Sequence, residues 1–191
     1  MRKLVVSIHS TANNIVTGPP DGDETDFPRW AQPGIDQSTN QFLTSLDGVD
    51  TMVLGRGTYE DLVRKWPNVQ EWPDVPDVAV RIAEKINTAH KFVVTSRSTD
   101  QLDWGAYEPA TPIAGPDLER QIHQLKAAEG GDIITFGSPV LVQALTNAAL
   151  VDEYRIIVHP VIMHEGRRLF EIWTVGPISR WSRSSRSRPA R

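Results

Sequence analysis

The sequence predicts an α/β domain in which a mostly parallel sheet is covered by helices on both faces. Two observations carry that expectation. Short β-branched-rich runs recur at residues 3–8, 51–54, 91–95, 132–136 and 154–158. The segments between them place apolar residues at helical spacing. Strands alternating with helices are joined by right-handed crossovers, so neighbouring strands run parallel and helices pack on both sides.

The elements follow in order. The first strand, residues 3–8, leads into a polar stretch that runs to about Pro33. Gly18-Pro19-Pro20-Asp21-Gly22-Asp23 within it is turn chemistry, since glycine frees φ and proline fixes it. Connections this long are often binding loops. Asp36 is an N-cap choice for a helix whose stripe is Phe42, Leu43 and Leu46, ended by Gly48. After the strand at 51–54, a helix from about Thr58 runs until Pro67 stops it. A Trp/Pro-rich loop (Trp66, Pro67, Trp72, Pro73, Pro76) precedes a helix marked by Val80, Ile82, Ala83 and Ile86. The strand at 91–95 follows. Asp117 opens a helix carrying Leu118, Ile122 and Leu125, which closes at Gly130-Gly131. The strand at 132–136 leads through Ser138-Pro139 into a helix containing Val142 and Leu145. The strand at 154–158 comes last.

Composition bounds the function. A chain of 191 residues supports one domain with a full core. It has no cysteine, which excludes disulfide scaffolds, thiolate catalysis and cysteine–zinc sites. No apolar run reaches the roughly 18 residues of a membrane span. The start, Met1-Arg2-Lys3-Leu4-Val5-Val6, turns polar too soon for a signal peptide, so a cytoplasmic protein is expected. The net charge of −4 is unevenly spread. Residues 171–191 hold five arginines and one glutamate, a net of +4, which leaves −8 for residues 1–170. The division is therefore an acidic domain over 1–170 and a basic Ser/Arg-rich tail over 171–191, expected to be poorly ordered. An acidic body opposes nucleic-acid binding by that tail.

In open α/β sheets, ligands bind beyond the carboxyl ends of the strands, and three of those ends share one chemistry. Leu54-Gly55-Arg56-Gly57-Thr58-Tyr59-Glu60 offers close backbone approach at two glycines, a capping hydroxyl at Thr58 and an anion-binding fork at Arg56. It is not the dinucleotide fingerprint G-x-G-x-x-G, because Glu60 holds the last position. Val94-Thr95-Ser96-Arg97-Ser98 puts hydroxyls around one arginine, a set that grips a phosphate monoester. Phe136-Gly137-Ser138-Pro139 places Ser138 at an N-cap and Pro139 at the first helical position, so backbone N–H groups can hold a pyrophosphate. Each motif alone also reads as a well-made turn, and for Gly55–Glu60 taken alone that is the preferred reading. Together they line one edge of the sheet with two arginines, several hydroxyls and two helix N-termini, a surface for a dinucleotide.

Other chemistries lack their parts. G-x-x-x-x-G-K-[ST] is absent, which argues against a P-loop NTPase, and no G-x-S-x-G elbow marks a hydrolase. His159 and His164 form the nearest histidine pair in sequence, with Pro160 between them and no helical metal spacing. All five histidines are expected to be structural or at the surface. Trp30, in the long first loop, is offered either to core packing or to stacking on a planar ligand.

The strand-end motifs then coincide with a family. The chain resembles the RibD C-terminal family of reductases, which has the dihydrofolate reductase-like fold. The segments that carry the likeness are Met1-Arg2-Lys3-Leu4-Val5-Val6-Ser7-Ile8, Leu54-Gly55-Arg56-Gly57-Thr58-Tyr59-Glu60, Lys91-Phe92-Val93-Val94-Thr95-Ser96-Arg97 and Gly131-Asp132-Ile133-Ile134-Thr135-Phe136-Gly137-Ser138. Leu150-Val151-Asp152-Glu153-Tyr154-Arg155, Pro160-Val161-Ile162 and Gly166-Arg167-Arg168-Leu169-Phe170 complete the set in the family's order.

The resemblance implies a three-layer α/β/α domain and an NADPH-using oxidoreductase, homodimeric, acting on a small heterocyclic or sugar-derived substrate. One such substrate is the ribosylaminopyrimidine phosphate of riboflavin synthesis. By carry-over, Gly55, Arg56 and Thr58 meet cofactor phosphates, Ser96 and Arg97 hold the 2′-phosphate, and Gly137 and Ser138 meet the pyrophosphate. Asn13 and Trp30 fall on the substrate side; no catalytic acid is assigned and no metal is implied. The competing expectation is a protein that binds NADPH without catalysis. Two departures stand out. Thr11-Ala12-Asn13-Asn14 replaces the family's common Ser-Leu-Asp-Gly, so a carboxylate is lost. After Phe170 the two closing strands are expected to be missing or replaced, as by a changed reading frame.

Overall fold

The computed structural model of the chain describes residues 1–17, 29–31, 35–96 and 101–170. Arg97, the Gly18–Asp23 turn and the tail over 171–191, with its expected disorder and missing strands, lie outside the described residues.

Among the described residues, six strands form one sheet: β1 (Leu4–Thr11), β2 (Val49–Gly55), β3 (His90–Thr95), β4 (Thr111–Ala114), β5 (Asp132–Phe136) and β6 (Glu153–His159). Their order is β4-β3-β2-β5-β1-β6, and every pairing is parallel. The α-helices of the described residues cover it: α1 (Ile35–Ser45), α2 (Arg56–Lys65), α3 (Asp77–Thr88), α4 (Leu118–Ala127) and α5 (Pro139–Asn147).

The layers follow from alternation along the strands, since successive side chains face opposite sides of a sheet. Val5, Met52, Leu54, Val93, Ile134 and Phe136 pack against Leu43 of α1, Leu46 just past its end, Tyr59 of α2, and Ile82 and Ile86 of α3. From the other face, Leu4, Val53 and Ile133 meet Ile122 of α4 and Leu141 and Leu145 of α5. Val6 and Ile8 extend that second face onto Val142 and Leu169. Nearly every one of these side chains is withdrawn from water, each worth about 1.5–3 kcal/mol relative to exposure. The three-layer α/β/α expectation is what the chain adopts.

Local details differ from the sequence expectation. β4 was not foreseen, because Pro112 interrupts a four-residue run. It pairs only with β3 and sits at the sheet edge, where a proline that cannot donate is tolerated. Residues 66–71 of the Trp/Pro-rich stretch form a 3₁₀ helix rather than a loop. Helix α1 starts at Ile35, so Asp36 is inside it and not its cap. Helix α2 starts at Arg56 with Gly55 in the capping position, so Thr58 is its third residue and not its cap.

Polar clamps close the amino-terminal end of the sheet. Arg2, 8% exposed, pairs with Asp50, and also donates to Thr51 Oγ1 at 2.6 Å and to the Gly131 carbonyl at 2.6 Å. Asp50 in turn accepts the Gly131 N–H at 2.6 Å. Lys126 pairs with Asp152 at 2.6 Å, and Asp152 accepts the Leu4 N–H at 2.7 Å. Both clamps lie at the end of the sheet opposite the carboxyl ends.

Candidate functional site

Strands β3, β2 and β5 are neighbours in the sheet, so the three motifs do stand side by side. The β2–α2 and β5–α5 turns touch. A Cβ at Gly55 would overlap Ser138 Oγ, which is why only glycine fits there. A Cβ at Gly137 would lie 3.4 Å from Thr58 Oγ1. Gly137 has φ +50° and Ser138 φ +39°, so the chain enters α5 through two left-handed residues in succession. For serine that conformation costs about 1–2 kcal/mol, a strain that clusters at functional turns. Ser138 occupies the N-cap position as expected, but its hydroxyl makes no capping hydrogen bond; the left-handed backbone turns it instead toward Gly55.

Arg56 is the first residue of α2. Its Nε donates to Glu60 Oε1 at 2.6 Å, and its Cζ lies 5.7 Å from the centre of the Tyr59 ring. The Tyr59 hydroxyl donates to the Asp103 carbonyl at 2.7 Å. Burial raises the Tyr59 pKa above the ordinary phenol value. The guanidinium is thus oriented by a carboxylate and a ring. Gly57 faces open space. Ser96 is exposed one residue beyond β3.

At the same carboxyl edge, on the side of β5 away from β2, β1 outruns β5. Ser7 pairs with Phe136, the last residue of β5, whereas β1 continues to Thr11 beside His159. His9 therefore stands at the height of the Gly137–Ser138 turn, one strand over. Its Nδ1 lies 2.9 Å from His159 Nε2, a hydrogen bond between imidazoles. Burial, and then the charge of His159, push the His9 pKa down to about 4; burial lowers His159 as well. Trp30 packs edge-on against His159, ring centres 5.3 Å apart, and its indole N–H donates to the Thr17 carbonyl at 3.1 Å. At 8% exposure, Trp30 is mostly packed.

Asn13 is spoken for. Its Oδ1 accepts from Thr11 Oγ1 at 2.8 Å and from the Met163 N–H at 3.2 Å, while Nδ2 donates to the Met163 carbonyl at 2.6 Å. Asn14, at φ +69°, donates to the Phe170 carbonyl at 3.0 Å. Two asparagines thus tie the end of β1 to residues 163–170.

The histidine pair escaped sequence reasoning. Its members are 150 positions apart, and His159 is partnered by His9 rather than by exposed His164. The available signal was that each histidine falls near the carboxyl end of a β-branched run. A separate cleft of about 450 Å³ lies lower on the same face, between Gln41, Thr44 and Asp47 on one side and Ser7, Arg155 and Ile157 on the other. It contains none of the sequence-predicted site residues.

Solved structures share this architecture. Dihydrofolate reductase from Enterococcus faecalis, complexed with NADP(H) and RAB-propyl, matches with a TM-score of 0.50 at 17% identity, over 90% of this chain and 79% of that one. Schistosoma mansoni dihydrofolate reductase matches with a TM-score of 0.50 at 15% identity, over 86% and 79%. The class is therefore an α/β domain with the dihydrofolate reductase-like fold. The RibD C-terminal domain model matches residues 36–174, and the chain belongs to that family. An uncharacterized protein of Bacillus subtilis strain 168, YyaP, is 25% identical over 169 residues, 88% of this chain and 80% of that protein. The family brings a reductase-type fold. No helix among the described residues is long and apolar enough to cross a membrane.

Proposed function

We propose that the protein is an NADPH-dependent reductase that works as a cytoplasmic homodimer. It acts on a small heterocyclic or sugar-derived acceptor, of which 5-amino-6-(5-phosphoribosylamino)uracil is the first to test. The observation that carries this reading is the contact of Gly55 with Ser138, which fuses two strand-to-helix turns into one cradle. The residues suit the cofactor. Two helix N-termini supply N–H groups for the pyrophosphate, Gly57 leaves room for close approach, and Arg56 adds positive charge.

In this reading Gly55, Arg56 and Thr58 bind phosphate from α2. Gly137 and Ser138 present backbone N–H groups from α5, and Ser96 with Arg97 holds the 2′-phosphate. Glu60 and Tyr59 aim the Arg56 guanidinium. Asn13 and Trp30 shape the acceptor end, where packing excludes water. The cofactor supplies the hydride; the protein supplies orientation and electrostatics.

A second reading is favoured by Asn13. The family's common carboxylate is replaced there by an amide whose polar atoms hold Met163, which suits NADPH binding without turnover. Calorimetric titration with NADPH, with NADH as control and Arg97→Ala as variant, tests the cofactor assignment. Saturable binding that favours NADPH and weakens at least tenfold in Arg97→Ala is expected. No saturable binding would reject both readings, and binding without oxidation by any acceptor would select the second.

A further inference from the structure

Ser7 carries a hydroxyl that the fold does not use. Val6 and Ile8 on either side of it pack toward α5, so Ser7 turns to the α1 face. The residue is only 5% exposed, yet its Oγ has no hydrogen-bond partner among the described residues. Buried hydroxyls are normally paired, because leaving one unmet is costly. Thr135 Oγ1 is such an atom sealed without a partner. Ser7 differs from it, since it lines the cleft of about 450 Å³ between α1 and β6.

Arg155 stands beside it. Ser7 and Arg155 are register partners on adjacent parallel strands, about 4.8 Å apart, and both line the cleft. The guanidinium is held from two sides: Nε donates to Glu153 Oε1 at 2.7 Å, and Nη1 donates to the carbonyl of Ser45, the last residue of α1, at 2.8 Å. Its Nη2 has no partner among the described residues. A fixed guanidinium edge next to an unmet hydroxyl presents convergent donors, the arrangement that takes a carboxylate. Ile156 and Ile157 add apolar surface to the same cleft.

The charges around the cleft leave room for one anion. Asp47 is paired with Lys85 at 3.0 Å, and Glu153 with Arg155 at 2.7 Å and Lys3 at 3.4 Å. The hydrogen bond from Arg155 is the first cause that holds the Glu153 carboxyl below its ordinary range. Three cations thus face two carboxylates. The carboxyl end of α1 adds roughly half a negative charge, which the excess outweighs. A second negative charge on a ligand would meet Asp47, Glu153 and the helix end with nothing left to offset it.

We propose that the cleft between α1 and β6 is a binding site for a small monocarboxylate, with its carboxylate on Arg155 Nη2 and Ser7 Oγ and its apolar body on Ile156 and Ile157. The volume falls within the range of about 300–1,000 Å³ typical of small-molecule sites. The site is separate from the cofactor cradle and does not depend on NADPH.

The full chain, ¹⁵N-labelled, is titrated by NMR with phenylacetate, its neutral isostere phenylacetamide, and inorganic phosphate. Phenylacetate should give saturable shifts at Ser7, Thr44, Arg155 and Ile157, with a dissociation constant on the order of a millimolar, while the Gly55 and Ser138 amides stay unmoved. Phenylacetamide and phosphate should each bind at least fivefold more weakly. Ser7→Ala removes a hydroxyl that bonds to nothing else, so its melting temperature should stay within about 2 °C of wild type while phenylacetate affinity falls at least threefold. Arg155→Lys keeps the charge without the planar fork and should lose at least fivefold. The absence of saturable shifts at the cleft overturns the proposal, as does equal affinity for the amide or for phosphate, or undiminished binding in Ser7→Ala. Repeating the titration with NADPH present should leave the phenylacetate affinity unchanged; displacement of phenylacetate by NADPH overturns a separate site. Failure of NADPH to bind rejects the reductase reading and leaves the phenylacetate result standing.

Discussion

Asn13 and Met163 are joined as two backbone units would be, the side-chain amide giving one hydrogen bond to the Met163 carbonyl and taking one from its N–H. A carboxylate can only accept. Asn13→Asp would therefore set an oxygen against the Met163 carbonyl and leave that carbonyl unpaired. An unsatisfied, partly buried polar pair costs about 1–3 kcal/mol, so the melting temperature of Asn13→Asp should fall by roughly 2–12 °C. An Asp variant as stable as the wild type would show that the clamp contributes nothing.

Gly55→Ala probes the junction of the two turns. The added methyl collides with Ser138 Oγ, so either α5 or the start of α2 must shift. Calorimetry should show NADPH affinity reduced at least tenfold. The double variant Gly55→Ala/Ser138→Gly removes both obstructing atoms, Ser138 Oγ and Cβ, and should recover part of that loss. Equal losses in the single and double variants would argue that the collision is not the cause.

Acid stability reports on His9. Its pKa is depressed from 6.5 to about 4, so between those values the unfolded chain binds a proton that the native state does not. Stability from this group is therefore full above pH 6.5 and is lost as pH falls through 4. The window contributes roughly 1–2 kcal/mol for a half-buried ring, from about 1.4 kcal/mol per unit. Urea denaturation of wild type and His9→Gln at pH 7.5 and 4.5 should show a smaller acid loss in the variant. Parallel losses would count against a buried, neutral His9.

Arg2 provides the control for the far end of the sheet. Arg2→Met leaves Asp50 and the Gly131 carbonyl without their buried partner, which costs on the order of 2–3 kcal/mol once the partial exposure of Asp50 is discounted. Thermal unfolding should show that loss. NADPH affinity should stay within twofold, because the clamp and the cradle occupy opposite ends of the strands. A large change in affinity would mean that the two ends are not independent.

Much of this architecture was legible in the chain because alternation and turn chemistry act locally. Residues 132–136 read as a strand and are one, and Pro139 opens α5 where its fixed φ suits a helix start. The three strand-end turns nominated for the cofactor are read the same way, since glycine and hydroxyl residues after an apolar run are visible in one dimension. What escaped depended on tertiary placement. β4 exists only because β3 offers its edge, and His9 meets His159 only because β1 outruns β5 and pairs with β6. The left-handed backbone of Ser138 was also hidden, because nothing in a serine announces positive φ. Asn13 was nominated for substrate and proves to be tied to Met163, a partner 150 residues away.

The central claim is that the carboxyl ends of β2 and β5 together cradle NADPH. Mapping backbone amide shifts on titration of ¹⁵N-labelled protein with NADPH tests it most directly. The account predicts the largest perturbations at Gly55, Arg56, Gly57, Thr58, Gly137 and Ser138, with Ser96 responding and Asp50 and Gly131 unmoved. Saturable binding that leaves the Gly55 and Ser138 amides unchanged would contradict it.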